Sequence, residues 1–394
     1  MQAMNIVQSI ETSRYNDFWK TINRLKGKPS KLPTTMDGVV GDDNIANLFQ
    51  DKFNKLYTSV SYEETQMRTL KAQINLLISE HCPRQSHDSE SYIGRSDHDV
   101  SVGDVTDAIS KLKADKHDGS VGHYSDHIRN GTNSLHVYIT LLFNSLLTHG
   151  YVPDGFLLST IIPIPKNKLK CMNDSDNNRA ITLSSILGKV MDKLILSKCS
   201  DVLHTLDMQF GFKKGHSTNH CTFVVNEVLQ YYANNNSNTL VTLIDASKAF
   251  DRVNYVKLFK LLLSRKICPV YARFLLLMYT KHRCRVKWRS SLTASCEVKN
   301  GVKQGGVLSP ILFNVYMDEL LLRLKESGVG CYIGNIFCGA LGYADDVTLL
   351  APTLYSMKRM LDICKKFGDE FNVIFNLGKT KFIFMENLTT GVQS

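Results

Sequence analysis

The amino-acid sequence predicts an α+β fold: helices segregated against an antiparallel sheet, preceded by a mainly helical amino-terminal extension. Three observations carry that prediction. Beyond Leu240, short runs rich in Val, Leu and Ile alternate with longer stretches whose apolar residues recur at helical spacing. Between Ser101 and Ala233 helical periodicity dominates, with one apolar run that closes on proline. Residues 1–98 read as a separate, loosely organised part in which helical patterns are broken by a linker and closed by a polar stretch.

The elements follow in order. A short aromatic helix near Tyr15–Leu25 leads into a Lys/Gly/Pro link (KGKPSKLP), then helical patterns, and the polar stretch His81–Gly94 forms the best boundary. Ser101 and Asp104 form a capping box ahead of Val105, Ala108, Ile109 and Leu112. A helix over Ser134–His149 is expected to place Leu135, Tyr138, Leu142 and Leu146 on one face, and Gly150 with Pro153 stops it. Thr160–Pro165 reads as a buried strand, and helices follow near Ile186–Leu203 and Thr218–Ala233. Then come the strand LVTLID, helices at Tyr255–Ser264 and Val270–Thr280, a strand pair, a helix at Ser309–Glu326, two strands around a turn, a helix at Tyr355–Phe371 and short strands.

At 394 residues and 43% hydrophobic composition, the chain can bury a sizeable core in two or three subdomains. Its formal charge of +10 is uneven: residues 1–98 hold 12 Lys+Arg against 12 Asp+Glu, so the remaining residues carry the whole excess. A polyanionic partner for that remainder follows. Ten cysteines without a C-x-x-C pair indicate neither a zinc site nor a disulfide framework. The amino terminus lacks the apolar core of a signal peptide, and no apolar run approaches the ~20 residues that span a bilayer. An intracellular protein, in nucleus and/or cytoplasm and without a membrane partner, is the expectation.

Chemistry concentrates in two segments. Leu341–Leu350 (LGYADDVTLL) sets two adjacent carboxylates between apolar runs, the pattern of a tight hairpin tip, and burying paired like charges is costly unless a cation compensates them. In Val241–Asp251 (VTLIDASKAFD), Asp245 ends a run that belongs in the core. Hard oxygen donors brought together from two strands suit Mg²⁺, which keeps sites free for phosphates and water. A third segment, Lys281–Arg289 (KHRCRVKWR), alternates at period two, with Lys281, Arg283, Arg285, Lys287 and Arg289 on one side and Cys284, Val286 and Trp288 on the other. Such a stripe tracks a phosphate backbone or guards a solvated edge strand. His117, His123 and His127, near Asp118 and Asp126, read as a structural turn rather than a metal site.

Tyr343–Asp346 (YADD) and Asp245–Asp251 (DASKAFD) resemble the two catalytic motifs of reverse transcriptases, and Gly301–Pro310 (GVKQGGVLSP) is similar to the family's glycine-rich motif. Phe210–Thr218 (FGFKKGHST), Asn178–Leu183 (NRAITL) and the amino-terminal FWKTINRLKGKPSKLP resemble the non-LTR, LINE-type branch. The likeness covers nearly the whole chain and is strongest over residues 157–385. It implies a right-hand polymerase with fingers at 99–240 and an antiparallel-sheet palm at 241–394, after an extension at 1–98 and truncated before the thumb. It also implies RNA-directed DNA synthesis in retrotransposon replication, on an RNA template with a DNA primer and deoxynucleoside triphosphates. The alternative is a degenerate fragment that only binds nucleic acid.

The resemblance carries roles to matching positions. Asp245 and Asp345 would hold two Mg²⁺ ions, with Mn²⁺ as a substitute, and Asp346 would complete the acidic cluster. Lys166 and Arg179 would reach the triphosphate, Phe250 would pack against the nucleotide sugar, and Gln304 and Gly305 would meet nucleotide and template. Lys379, in the closing GKTKF segment, resembles a lysine near the last palm motif, where a proton-donor role is implied. The basic stripe Arg283, Arg285 and Lys287 is the candidate nucleic-acid contact, on alternation alone.

Overall fold

The computed structural model describes residues 32–81, 98–119, 123–167 and 169–385. The aromatic helix expected near Tyr15–Leu25 and the polar stretch after His81 lie outside the described residues. A hairpin of β1 (Thr35–Met36) and β2 (Val39–Val40) leads into helices α1 (Asp42–Tyr57) and α2 (Glu64–His81). Next come α3 (Val102–Ser110), α4 (Ser125–Arg129), α5 (Asn133–His149), α6 (Asp154–Leu157), β3 (Leu158–Pro165), β4 (Asn178–Leu183), α7 (Ile186–Lys198) and α8 (Thr218–Asn234). The third stretch runs β5 (Thr239–Ile244), β6 (Ala246–Ser247), α9 (Tyr255–Ser264), α10 (Pro269–Thr280), β7 (Arg283–Trp288), β8 (Ser291–Leu292) and β9 (Cys296–Glu297). It continues with α11 (Ser309–Glu326), β10 (Tyr332–Ile333), β11 (Ile336–Phe337), β12 (Ala340–Tyr343), β13 (Asp346–Ala351), α12 (Leu354–Phe371), β14 (Ile374–Phe375) and β15 (Lys381–Met385).

Local chemistry sets several of these boundaries. α3 begins where Ser101 accepts from the Asp104 N–H while the Asp104 carboxylate accepts from the Ser101 N–H, a reciprocal cap of about 0.5–2 kcal/mol. Pro310 sits in the first turn of α11, where its missing N–H costs nothing. Two expectations fail. α5 buries His136, Ile139, Thr140, Phe143, Leu146 and Leu147, and Tyr138 is 69% exposed, because the helix is apolar on nearly every side and periodicity alone does not fix its inner face. α7 stops at Lys198 rather than Leu203: Cys199 caps it, and the N–H groups of Val202 and Leu203 turn back onto the Cys199 carbonyl.

Two main sheets result. One is antiparallel, in the order β12-β13-β5-β15. The other runs β4-β3-β7-β8 with β9 also on β7, and its β3–β7 pair is parallel, Thr160 opposite Arg285. Helices α9 to α12 bury their apolar faces in one continuous core with β5, β12 and β13. The part of residues 1–98 that is described does not stand apart. Phe49 of α1 packs on Trp288 of β7 with ring centroids 5.2 Å apart, and Met67, Leu70 and Ile74 of α2 join the main core. Among the described residues no helix is long and apolar enough to cross a membrane.

Candidate active site

Three strands of the antiparallel sheet end side by side. β13 pairs β5 with Val347 opposite Ile244, so one step further Asp346 meets Asp245. β15 pairs β5 with Lys381 opposite Leu243, so the ladder carries Lys379 to the other side of Asp245. Its ammonium donates to Asp245 Oδ2 at 3.0 Å and Oδ1 at 3.3 Å. The β12–β13 hairpin closes on the pair Tyr343–Asp346 and leaves Ala344, at φ 59°, and Asp345 as its tip. The three sequence-predicted aspartates therefore meet at one end of the sheet.

Their electrostatics follow from that crowding. Burial pushes the Asp345 carboxyl above the usual range and Asp245 pushes it further, while Lys379 and Arg179 pull it back. Asp346 is raised by burial, then by Asp345 and Asp245. Carboxylates crowded in this way form a donor set that a divalent cation relieves, and their hard oxygens match Mg²⁺ or Mn²⁺ in kind. Among the described residues no three Asp, Glu, His or Cys groups already enclose an ion position, and the Lys379 ammonium supplies the neutralising charge on Asp245. In charge and donor chemistry the three carboxylates suit a cation, and the Lys379 ammonium stands on Asp245 in this structure.

The tip is held by a residue to which the sequence reading gave no role. Gln209 is wholly buried, and its Oε1 accepts from the N–H groups of Ala344 at 3.0 Å and Gly211 at 2.9 Å. The Phe210 N–H donates to the Gly342 carbonyl, and the Gly342 N–H to that of Met208. A Cβ on Gly211 would stand 2.3 Å from the Ala344 nitrogen, so only glycine permits this approach. The visible signal was adjacency: Gln209 directly precedes the FGFKKGHST segment.

Beside the acids lies the turn Ala249–Arg252. Phe250 is half-buried, stacked on Phe313 at 4.2 Å and set edge-on to Phe212. Asp251 is buried, and Gln304 Nε2 donates to both its oxygens at 2.8 and 2.7 Å. Burial pushes its carboxyl up to about 6, against the pull of Gln304, Lys248 and Lys166. Gly305, at φ 101°, lets the loop turn so that the Gln304 carbonyl accepts from the Thr182 N–H at 2.7 Å. Gln304 thus binds the loop to the turn and to β4, and Asp251 is a second residue missed, although it closes the quoted DASKAFD motif.

Cations gather on the same side. Lys166 donates to the Asp176 carbonyl at 2.8 Å, and Lys52 pairs with the Asp176 carboxylate at 2.6 Å. Partial burial lowers the Lys166 pKa first, then repulsion from Lys248, Lys52 and Arg179. Clustered cations of this kind favour a polyanion. Lys52 and Lys248 were not anticipated.

On β7 the alternation is as read: Cys284, Val286 and Trp288 are buried while Arg283 and Lys287 are exposed and Arg285 is half-buried. The strand is not an edge, however. β3 flanks it on one side and β8 and β9 on the other, so guarding an edge does not account for its cations. Lys281 caps α10 instead of joining the strand, and Arg289 pairs with Asp42 at 3.0 Å. His117 and His127 accept backbone N–H bonds from Gly119 and Tyr124, as a structural turn requires.

The family described as reverse transcriptase (RNA-dependent DNA polymerase) matches residues 164–392. The chain is 27% identical over 231 residues to a retrovirus-related Pol polyprotein from a type-1 retrotransposable element R2 of Nasonia vitripennis, covering 58% of this chain and 22% of that protein. It is 27% identical over 302 residues to an RNA-directed DNA polymerase from mobile element jockey of Drosophila melanogaster, covering 74% and 32%. A probable RNA-directed DNA polymerase from transposon X-element of the same fly is 30% identical over 190 residues, covering 47% and 20%. The chain thus spans about a fifth to a third of the length of these relatives.

Proposed function

The chain belongs to the reverse transcriptase (RNA-dependent DNA polymerase) family, and from that premise we propose that it extends a DNA primer on an RNA template, using deoxynucleoside triphosphates, in retrotransposon replication. The observation that carries the proposal is the convergence of Asp245, Asp345 and Asp346 at one end of the β12-β13-β5-β15 sheet. In this reading that sheet belongs to the palm, and β3 and β4 to the fingers.

Asp245, Asp345 and Asp346 would hold two Mg²⁺ ions, or Mn²⁺ in their place. Bound there, the metal supplies Lewis acidity toward the primer 3′-hydroxyl and the nucleotide phosphates. The protein's own groups do the positioning. Gln209 fixes the hairpin tip, so the Asp345 and Asp346 carboxylates meet Asp245 at a constant separation. Lys166 and Arg179, with Lys248 and Lys52 adding to the same field, draw in the triphosphate. Phe250, backed by Phe313, presents a ring beside the sugar and leaves no room for a 2′-hydroxyl. Asp251 orients Gln304, and Gly305 keeps side-chain bulk away from nucleotide and template. Lys379, now paired with Asp245, would give up that partner to a cation and would then be the group that protonates the leaving group, as the resemblance implies. Arg283, Arg285 and Lys287 contact template or primer phosphates.

A homopolymer RNA annealed to a DNA primer tests this directly, with Mg²⁺ and the matching deoxynucleotide. We expect DNA products that vanish on chelation. Tight hybrid binding by a folded chain that adds no nucleotide would favour the binding-only reading.

A further inference from the structure

Cys284 of β7 and Cys296 of β9 stand directly opposite each other on antiparallel strands, with their sulfurs 3.3 Å apart. Both are free thiols. We propose that this pair is a redox modification site, a dithiol that a hydroperoxide converts reversibly into a cross-strand disulfide. It lies outside the acidic cluster and does not depend on the polymerase assignment.

The backbone already meets the geometric requirement. Residues directly opposite on antiparallel strands have Cα atoms roughly 4.5–5.5 Å apart, inside the span of about 4.4–6.8 Å that a disulfide bridges. Closing the sulfurs to the ~2.05 Å of a bond therefore asks for side-chain rotation, not strand movement. Burial then divides the roles. Cys284 is fully enclosed with Val286 and Trp288 beneath α1, whereas Cys296 is half-buried and within reach of a small oxidant. The contact between the two sulfurs lowers the Cys296 thiol, with help from Gln50 and Arg283, while the same contact and burial raise that of Cys284. Cys296 is the attacking thiolate and Cys284 the resolving thiol.

The chemistry balances. The Cys296 sulfur attacks one peroxide oxygen and the O–O bond breaks, leaving a sulfenic acid on Cys296 and an alcohol or water as leaving group. The Cys284 sulfur gives up its proton and attacks the Cys296 sulfur, and the sulfenic oxygen departs as water. Two electrons pass from the thiols to the hydroperoxide, and an added dithiol returns them. The product ties β9 to the strand that carries Arg283 and Arg285.

Hydrogen peroxide treatment of the 394-residue chain, followed by alkylation, proteolysis and mass spectrometry, reads the outcome. The expected result is a Cys284–Cys296 linked peptide, lighter by two hydrogens, as the dominant disulfide, lost on addition of dithiothreitol. In Cys284→Ser the Cys296 sulfenic acid should persist long enough for a dimedone-type trap. Where that buried variant does not fold, Cys296→Ser should leave Cys284 alkylatable at a peroxide dose that removes it in the wild type. Both thiols remaining free while other cysteines oxidise, or Cys296 passing to sulfinic acid with Cys284 still reduced, would overturn the proposal.

Discussion

Asp251 is a carboxylate that the fold keeps at a disadvantage. An unfolded aspartate titrates near about 3.9, whereas burial raises Asp251 to about 6. The folded state therefore holds this proton more tightly. The associated stability is fully present below about pH 4 and is lost as pH rises through about 6, an effect on the order of 3 kcal/mol. Asp251→Asn cannot titrate, so denaturant unfolding of wild type and variant should diverge between about pH 4 and pH 7, the wild type losing stability relative to the variant. Parallel curves would remove Asp251 as a titrating group. Phe250→Ala, in turn, opens the space beside Phe313 without touching an acid. Selectivity for deoxy- over ribonucleotides, measured by single-nucleotide kinetics, should fall at least tenfold, and an unchanged ratio would return Phe250 to an ordinary core role. The three acids were legible from the sequence because carboxylates beside apolar runs stand out. Gln209 and Asp251 were not, because a buried polar side chain declares its partner only when distant segments have folded together: its bond to Ala344 crosses 135 positions, and that of Gln304 to Asp251 crosses 53.

At the scale of the element, β7 shows what a period-two pattern can and cannot reveal. The alternation identified which side chains are buried, since that depends only on the pleat. It did not identify the neighbours of the strand. β3, more than a hundred positions earlier, lies parallel to it. With both sides paired, these cations do not block an exposed edge: Arg283 and Lys287 are exposed and Arg285 donates to the Thr160 hydroxyl. Changing Arg283, Arg285 and Lys287 together to Gln should leave the fold intact and flatten the salt dependence of hybrid binding, each lost phosphate contact reducing the log–log slope by about 0.7–0.9. A wild-type slope would mean that these side chains meet only water. α5 gives the converse lesson: its apolar residues surround the axis, and its inner face was decided by packing against α3 and α10 rather than by its own periodicity.

Across the whole molecule, the order of helices and strands beyond Ser101 was largely readable, while the assembly of the second sheet was not. That sheet joins β3 and β4 to β7, β8 and β9, and takes its covering helix α1 from the first hundred residues. Only tertiary packing brings these segments together. The main consequence is the end of the β12-β13-β5-β15 sheet, where Asp245 and the Asp345–Asp346 tip meet next to Lys379. The most direct test is single-turnover addition of one deoxynucleotide to a primer on RNA by the wild type and by Asp345→Asn, each at a concentration that saturates the hybrid. The amide is nearly isosteric but is a far poorer cation ligand, so hybrid binding should persist while the rate of addition falls by about three orders of magnitude or more. Addition by a folded Asp345→Asn chain at close to the wild-type rate would contradict the assignment of the acidic cluster.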